Sequence, residues 1–192
     1  MKKRLIRTIC IMSMCIMAFT VLPTGTYAKA KESGKYPTQA GRILVTSDCY
    51  KNLIPTGHAA IVLDKTYVVE AKSNGVVLGR NNWKSQKKQF WGVQVLQKKR
   101  GSALSAAKQK KAASWCKKQR GKHYNFNYLN TKTRSRFYCS QLAWAAYKDN
   151  FKIDLNTLAF AGWYSGWGYA NPVHPLELVD SSYTRIDYYY KR

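Results

Sequence analysis

Short apolar runs separated by polar turn residues recur through most of the chain beyond residue 40. Six runs have the length and the Gly, Asn, Asp or Pro boundaries of β-strands: Gly41–Thr46, Gly57–Asp64, Thr66–Lys72, Val76–Leu78, Gly92–Leu96 and Arg185–Tyr190. Most of them follow one another closely enough to be joined by short turns. The pattern therefore predicts a mostly antiparallel sheet.

Two segments follow a helical pattern instead. Ser102–Arg120 is rich in Ala and Lys, begins with a residue suited to an N-cap and is followed by Gly121, which predicts a helix. In the stretch RFYCSQLAWAAY, residues 136–147, Cys139 begins a series of apolar positions spaced i, i+3, i+4 and i+7. This spacing predicts a second helix with one buried face. Strands and helices segregated in this way indicate one α+β domain.

The N-terminus has the form of an export signal. Four basic residues precede an uncharged apolar run, Thr8–Leu22, and Thr26-Tyr27-Ala28 supplies small residues for cleavage. The run is too short for a comfortable membrane span. We expect residues 1–28 to be a cleaved signal peptide, residues 29–40 a loose polar leader, and residues 41–192 the single folded domain of a secreted or cell-wall-associated protein.

The charge of the chain favours anionic partners. The formal net charge is +24, and removal of residues 1–28 takes away four basic residues and no acidic one, leaving +20. Such an excess favours association with polyanions, which for an exported protein means anionic wall polymers or lipid head groups. Nucleic acid is a less favoured partner, because the chain has no zinc-finger spacing and no RNA-binding aromatic signature. With no CxxC or HExxH motif and scattered histidines, we expect neither a structural metal nor a cofactor.

Three cysteines remain after signal removal, so at least one is unpaired unless chains cross-link. A Cys49–Cys116 disulfide is one possibility that the sequence leaves open. Cys116 lies beside Trp115 on the predicted core face of the first helix, which indicates a packing role. Cys139 lies in the first turn of the second helix, where free N–H groups and the positive end of the helix dipole stabilise a thiolate. It is therefore a candidate nucleophile, although a buried packing cysteine is the competing interpretation.

A cysteine nucleophile needs a histidine base, and His58 is the candidate with a partner. If residues 63–65 form a three-residue hairpin loop, His58 pairs directly with Glu70 on one face of the sheet. The carboxylate would then fix the tautomer of the imidazole. A two-residue turn would pair His58 with Ala71 instead. In a further, purely structural interpretation, Glu70 is a surface carboxylate at the strand end and His58 a hydrogen-bonded edge residue. His123 and His174 lie in loops and show no partner pattern.

The segments GHAAIV, VVEA, GKHYNFNY and YCSQLAWAAY occur in one order. Together they resemble the circularly permuted, NlpC-type papain-like cysteine hydrolases, in particular the YiiX-like group, over about residues 41–180. The resemblance implies a permuted papain-like α+β fold, with the sheet packed against the helix that bears the cysteine. It implies Cys139 as nucleophile, His58 as base and Glu70 as the third polar group, and it suggests that Tyr124 lines the substrate pocket.

Three residues depart from the pattern of that family. Arg42 stands where the first strand often carries an acid, Gln141 replaces a common glutamate, and Asn125 replaces the usual aspartate after the tyrosine. None of these changes removes a proposed catalytic group. We expect them to bear on substrate specificity.

Export and resemblance together favour a cysteine amidase or endopeptidase that cleaves peptidoglycan stem peptides through a thioester. Two alternatives come from other classes. A related permuted group uses the same cysteine and histidine for lipid acyl transfer or phospholipid cleavage, but its usual second histidine would fall near Glu70. The other alternative is a basic wall- or membrane-binding protein that has kept the fold without the activity.

Overall fold

The described part of the chain is organised around one seven-stranded sheet. The computed structural model describes residues 32–48, 57–159 and 171–192; the predicted signal peptide and Cys49 lie outside these ranges. The elements in chain order are β1 (Glu32–Gly34), β2 (Ile43–Thr46), β3 (His58–Val62), β4 (Tyr67–Lys72), β5 (Gly75–Arg80), α1 (Trp83–Gln86), β6 (Gln89–Val95), α2 (Ala106–Lys118), β7 (His123–Tyr124), β8 (Arg136–Phe137), α3 (Cys139–Phe151), α4 (Glu177–Asp180) and β9 (Thr184–Lys191). Within the described residues, the predicted strands and both long helices are present.

The sheet has the order β1-β9-β6-β2-β3-β4-β5. Every neighbouring pair in it is antiparallel, which confirms the predicted sheet type. The short strands β7 and β8 form a separate parallel pair. The strand β3 thus lies in the interior of the sheet, between β2 and β4.

The polar leader is more ordered than the sequence indicates. Glu32–Gly34 pairs with β9 and covers its edge, and the Tyr36 ring contacts Phe90 and Tyr188 at centroid distances of 6.1 and 5.5 Å. Backbone pairing at an exposed sheet edge depends little on side-chain hydrophobicity. A polar composition therefore did not reveal the strand.

The β3–β4 hairpin has a longer loop than predicted. Ala60 pairs with Glu70 and Val62 with Val68, whereas the three-residue loop would pair Val62 with Thr66. The carboxylate of Asp64 accepts hydrogen bonds from the backbone N–H groups of Thr66 and Tyr67, at 2.7 and 2.8 Å. These bonds occupy N–H groups near the start of β4 and widen the loop, so the predicted register was wrong by two residues.

The sheet buries both faces. One face, including Ala59, Ile61 and Val69, packs in the main core with α2 and α3. The other face, including Ala60, Val62 and Val68, packs against Trp83, Phe90 and Tyr188. The first residue of β3, His58, therefore has its side chain on the second face, while α3 covers the first.

The two long helices begin at informative positions. The first begins at Ala106, with Ser105 as its N-cap, because Ala103 instead forms an isolated bridge with Leu96. The second begins at Cys139, as the apolar spacing predicts. No helix in the described ranges combines the length and apolar character needed to cross a membrane.

Candidate active site

Cys139 is the first residue of α3, and its side chain is 8% exposed. The backbone N–H groups of Ala59 and Ser140 donate to its sulfur. Burial alone would raise the pKa of this thiol, but hydrogen bonding and charge interaction with His58, together with those two N–H groups, lower the pKa below its ordinary value. The position therefore favours a thiolate.

His58 connects Cys139 to a carboxylate. Its Nε2 atom lies 2.7 Å from Oε2 of Glu70, which leaves Nδ1 as the ring nitrogen for the hydrogen bond with Cys139. Burial lowers the pKa of His58, but Cys139 and Glu70 outweigh that effect and raise the pKa to about 9. Because His58 begins β3, its ring can meet the first residue of α3 around the end of the strand.

The contact between His58 and Glu70 follows from strand geometry. Glu70 pairs with Ala60, and Ala60 is two residues from His58, so all three side chains lie on the same face. His58 and Glu70 are diagonal neighbours, and their side chains bridge the extra distance. The predicted contact is thus confirmed although the predicted direct pairing is wrong.

Glu70 is held on both carboxylate oxygens. Oε2 accepts from His58, and Oε1 lies 2.7 Å from Nζ of Lys72. Burial raises the pKa of Glu70, yet His58 and then Lys72 lower it below the ordinary value. A side chain at Gly79 would place its Cβ atom 2.0 Å from Oε1. Gly79 therefore provides the space in which the carboxylate lies.

Trp83 fixes the imidazole from a third element. Its ring stacks on His58 with a centroid distance of 5.8 Å and an interplanar angle of 22°, and the tryptophan is 1% exposed. Sequence reasoning missed Trp83, Lys72 and Gly79. Lys72 could have been found from the sequence, because it lies two residues from Glu70 on the same strand and so on the same face. Trp83 lies beyond β5, and no local sequence pattern connects it to His58.

Aromatic side chains border the cysteine. Tyr124 interacts electrostatically with Cys139; burial and then this proximity raise the pKa of Tyr124, so its hydroxyl stays protonated. The Tyr124 ring lies 4.9 Å from Phe126 and 6.4 Å from Tyr128, centroid to centroid. Phe126 is 67% exposed. The predicted pocket residue Tyr124 therefore lies near the nucleophile and continues into an exposed aromatic rim.

Gln141 anchors the loop that carries this rim. Its side chain is fully buried and accepts hydrogen bonds from the backbone N–H of Tyr138 and from Nδ2 of Asn125, at 3.2 and 3.0 Å. Its Nε2 group donates to three backbone carbonyls, those of residues 130, 131 and 133. Gln141 and Asn125, which both depart from the family pattern, are thus hydrogen-bonded to each other, and Gln141 also fixes the loop.

The third departure, Arg42, also lies in a buried network. Its Nη1 donates to Oε1 of Gln109 at 2.6 Å, and its Nε lies 2.6 Å from Oδ2 of Asp187. These contacts join the residue that precedes β2 to α2 and β9. Arg42 thereby takes part in packing of the domain.

Two further cysteines, Cys116 and Cys49, follow the predicted signal peptide. Cys116 is a free, fully buried thiol whose Sγ donates to the carbonyl of Leu142 at 3.6 Å, and burial raises its pKa above the ordinary value. This environment agrees with the predicted packing role. Cys49 lies outside the described residues.

Comparisons with known proteins identify the family and the fold of the chain. The family model described as permuted papain-like amidase enzyme, YaeF/YiiX, C92 family, matches residues 44–164. A solved structure, described as the metalloprotein YiiX from Escherichia coli O157:H7, has a TM-score of 0.56 and 20% identity, covering 78% of this chain and 96% of that chain. No curated protein sequence gives a match. The predicted permuted papain-like α+β fold is confirmed.

Proposed function

Because the chain belongs to the permuted papain-like amidases of the YaeF/YiiX group, we propose that it cleaves amide bonds in peptidoglycan stem peptides outside the cell. The observation that carries the proposal is the 2.7 Å contact between His58 and Glu70, with His58 also hydrogen-bonded to Cys139. A nucleophile, a base and an orienting carboxylate in that order form the functional unit of thiol hydrolases.

In the proposed reaction, the Cys139 thiolate attacks the carbonyl carbon of the amide. The carbonyl oxygen becomes an oxyanion, which the backbone N–H of Cys139 stabilises, because a residue at the start of a helix has no intrahelical acceptor for its N–H. One such donor contributes about 3–4 kcal/mol to lowering the barrier. The C–N bond then breaks as the His58 imidazolium gives its proton to the departing amine, and a thioester on Cys139 remains.

Water completes the cycle. Neutral His58 accepts a proton from a water molecule, whose oxygen attacks the thioester carbonyl. The C–S bond breaks, the carboxylic acid departs and the thiolate–imidazolium pair forms again. Glu70 keeps the imidazole oriented and stabilises its charged form throughout.

In the proposed reaction, the thiolate, the imidazole and the carboxylate act in every step without a metal ion. The Escherichia coli neighbour is described as a metalloprotein, but in the ranges described for this chain no cluster of three or more His, Cys, Asp or Glu side chains is arranged to hold a metal ion. The donor groups nearest Cys139 are engaged with one another instead.

Export and wall association form the second part of the proposal. The charged start and apolar run of residues 1–28 and the mature charge of +20 support them. N-terminal sequencing of the protein recovered from culture medium or from walls should begin at Lys29. Recovery of a chain that starts at Met1, or of one lipidated at Cys15, would contradict export by signal cleavage.

The activity is tested by incubating the mature protein with purified peptidoglycan and identifying released fragments by mass spectrometry. The wild type should generate new carboxyl and amino ends within stem peptides, and Cys139→Ala should generate none. Cys116→Ser is the matched cysteine control and should retain the activity. If the peptidoglycan stayed intact and the protein released fatty acid from anionic vesicles, the lipid-cleaving alternative would replace this proposal.

A further inference from the structure

The solvent side of α2 carries two rows of lysines. Lys110 and Lys117 are seven residues apart, as are Lys111 and Lys118, so each pair is nearly aligned along the helix. All four are exposed. The buried residues of the helix lie on its other side: Gln109, Ala112, Ala113 and Cys116. We call Lys110, Lys111, Lys117 and Lys118 the lysine face.

The charge of the lysine face is not neutralised by the part of the chain that the structure describes. None of its four ammonium groups is within ion-pair distance of a carboxylate there. The sequence contains no Asp or Glu at all between Glu70 and Asp149. Lys111 additionally lies over the ring of Phe151, 5.8 Å from its centroid. A surface with several unneutralised positive charges attracts anionic ligands.

Small side chains separate the two rows. By helical position, Ala107 and Ser114 lie between them, and both are exposed. The two lysines of a row are about 10 Å apart along the helix axis. The face therefore offers a shallow track with positive charge on both sides, which suits an extended chain of repeated negative charges.

We propose that the lysine face binds a linear phosphodiester polymer of the cell wall and holds the enzyme at its substrate; this inference rests on the proposed function. A membrane surface fits less well, because an interfacial helix needs large apolar side chains beside its basic ones, and the exposed positions between the rows are Ala and Ser. Single-stranded nucleic acid also fits less well, because its binding uses aromatic rings for base stacking.

The position of α2 connects this face to the active site. The helix packs on α3 through the Cys116–Leu142 contact, and α3 begins at Cys139. The chain leaves α2 through Gly121, at φ 83°, and reaches Tyr124 on β7. A polymer held on the solvent side of α2 would therefore lie across this one helix from α3, whose first residue is the nucleophile.

The test measures binding of soluble poly(glycerol phosphate) to the mature Cys139→Ala protein, so that failure of the amidase proposal leaves the result intact. One variant replaces Lys110, Lys111, Lys117 and Lys118 by Gln. The control replaces four other exposed lysines by Gln and changes the net charge equally: Lys65, Lys98, Lys99 and Lys191. Gln is a good helix former, and circular dichroism verifies that both variants fold.

We expect the lysine-face variant to bind the polymer at least tenfold more weakly in about 0.1 M salt, with a shallower dependence of affinity on salt concentration. The control should lose less than threefold. Equal losses in the two variants would overturn the proposal, because net charge alone would then explain binding. Unchanged polymer binding with weakened binding to phosphatidylglycerol vesicles would overturn it in favour of a membrane surface.

Discussion

His58 and Glu70 lie 2.7 Å apart, Nε2 to Oε2, as diagonal neighbours of the β3–β4 hairpin and not as a directly opposed pair. A hairpin register can shift by two residues and keep both side chains on one face, whereas a shift of one residue would separate them. The Asp64 loop produces the two-residue shift. The contact between base and carboxylate is therefore compatible with a longer loop than the sequence suggested.

Glu70→Gln should reduce turnover about 10- to 100-fold, since hydrogen bonds to charged groups contribute about 1.5–3 kcal/mol. The amide keeps a hydrogen-bond acceptor for Nε2 but removes the negative charge that raises the pKa of His58. Cys139→Ala and His58→Ala should each abolish turnover, because neither group has a substitute in the site. Steady-state release of peptidoglycan fragments measures all three; a Glu70→Gln variant as inactive as Cys139→Ala would contradict an orienting role.

Lys72→Met should change the pH dependence of the site more than its rate at neutral pH. Lys72 lowers the pKa of Glu70 and offsets part of its negative charge. Its loss removes one positive charge from the site, which disfavours the negative thiolate and raises the pH at which Cys139 becomes a thiolate. Because the Lys72 side chain is 48% exposed, we expect a shift of only about half a pH unit.

The readout for Lys72→Met is the rate of iodoacetamide alkylation of Cys139 as a function of pH. The control is Lys65→Met in the loop of the same hairpin, where the lysine is exposed, and its profile should match that of the wild type. Identical profiles for Lys72→Met and the wild type would show that the ion pair with Glu70 has no influence on the thiol.

Sequence patterns among neighbouring residues predicted most of the fold, and they singled out Cys139, His58 and Glu70 but not the residues around them. Strand alternation and the apolar spacing after Cys139 depend on neighbouring residues, so β3, β4 and α3 could be predicted. The residues that support His58 and Glu70 could not be predicted. Gly79 lies near Glu70 only because β5 pairs with β4, and Trp83 contacts His58 from the segment that follows β5. The edge strand β1 escaped prediction for a different reason: it is held by backbone hydrogen bonds, which leave no apolar signature.

Gly79→Ala should impair activity although it adds only one methyl group. The new Cβ atom would meet Oε1 of Glu70 at 2.0 Å, so the carboxylate would have to move away from His58 or Lys72. Gly101→Ala is the matched control, because there the added atom meets Cγ of Lys98 at 2.5 Å and the Lys98 carbonyl oxygen at 3.2 Å, and contacts none of the residues of the candidate site. Turnover of the two variants is compared at equal folded fraction. Equal activity of Gly79→Ala and Gly101→Ala would contradict the tight placement of Glu70.

Gln141→Glu should destabilise the domain by about 1–3 kcal/mol, the cost of leaving a buried polar group unsatisfied. A carboxylate cannot donate to the three carbonyls that Nε2 now contacts. Protonation would relieve the conflict, so the folded-state pKa of the new glutamate should lie above its unfolded value and the deficit should grow as pH rises. Thermal unfolding at pH 5 and pH 8 measures this. A deficit that is larger at pH 5 would contradict the assigned hydrogen bonds.

Alkylation of Cys139 across the pH range tests the ion pair with His58 most directly, because it needs no substrate. Trypsin releases Cys139 in the peptide of residues 137–148, which contains no other cysteine, so mass spectrometry follows this thiol alone. In the wild type, alkylation should remain fast well below the ordinary thiol pKa of about 8.5, since His58, with its pKa raised to about 9, stays charged there. In His58→Ala, the rate should fall about tenfold for each pH unit below that value. Superimposable profiles for the two proteins would contradict the pairing of Cys139 with His58 and, with it, the proposed mechanism.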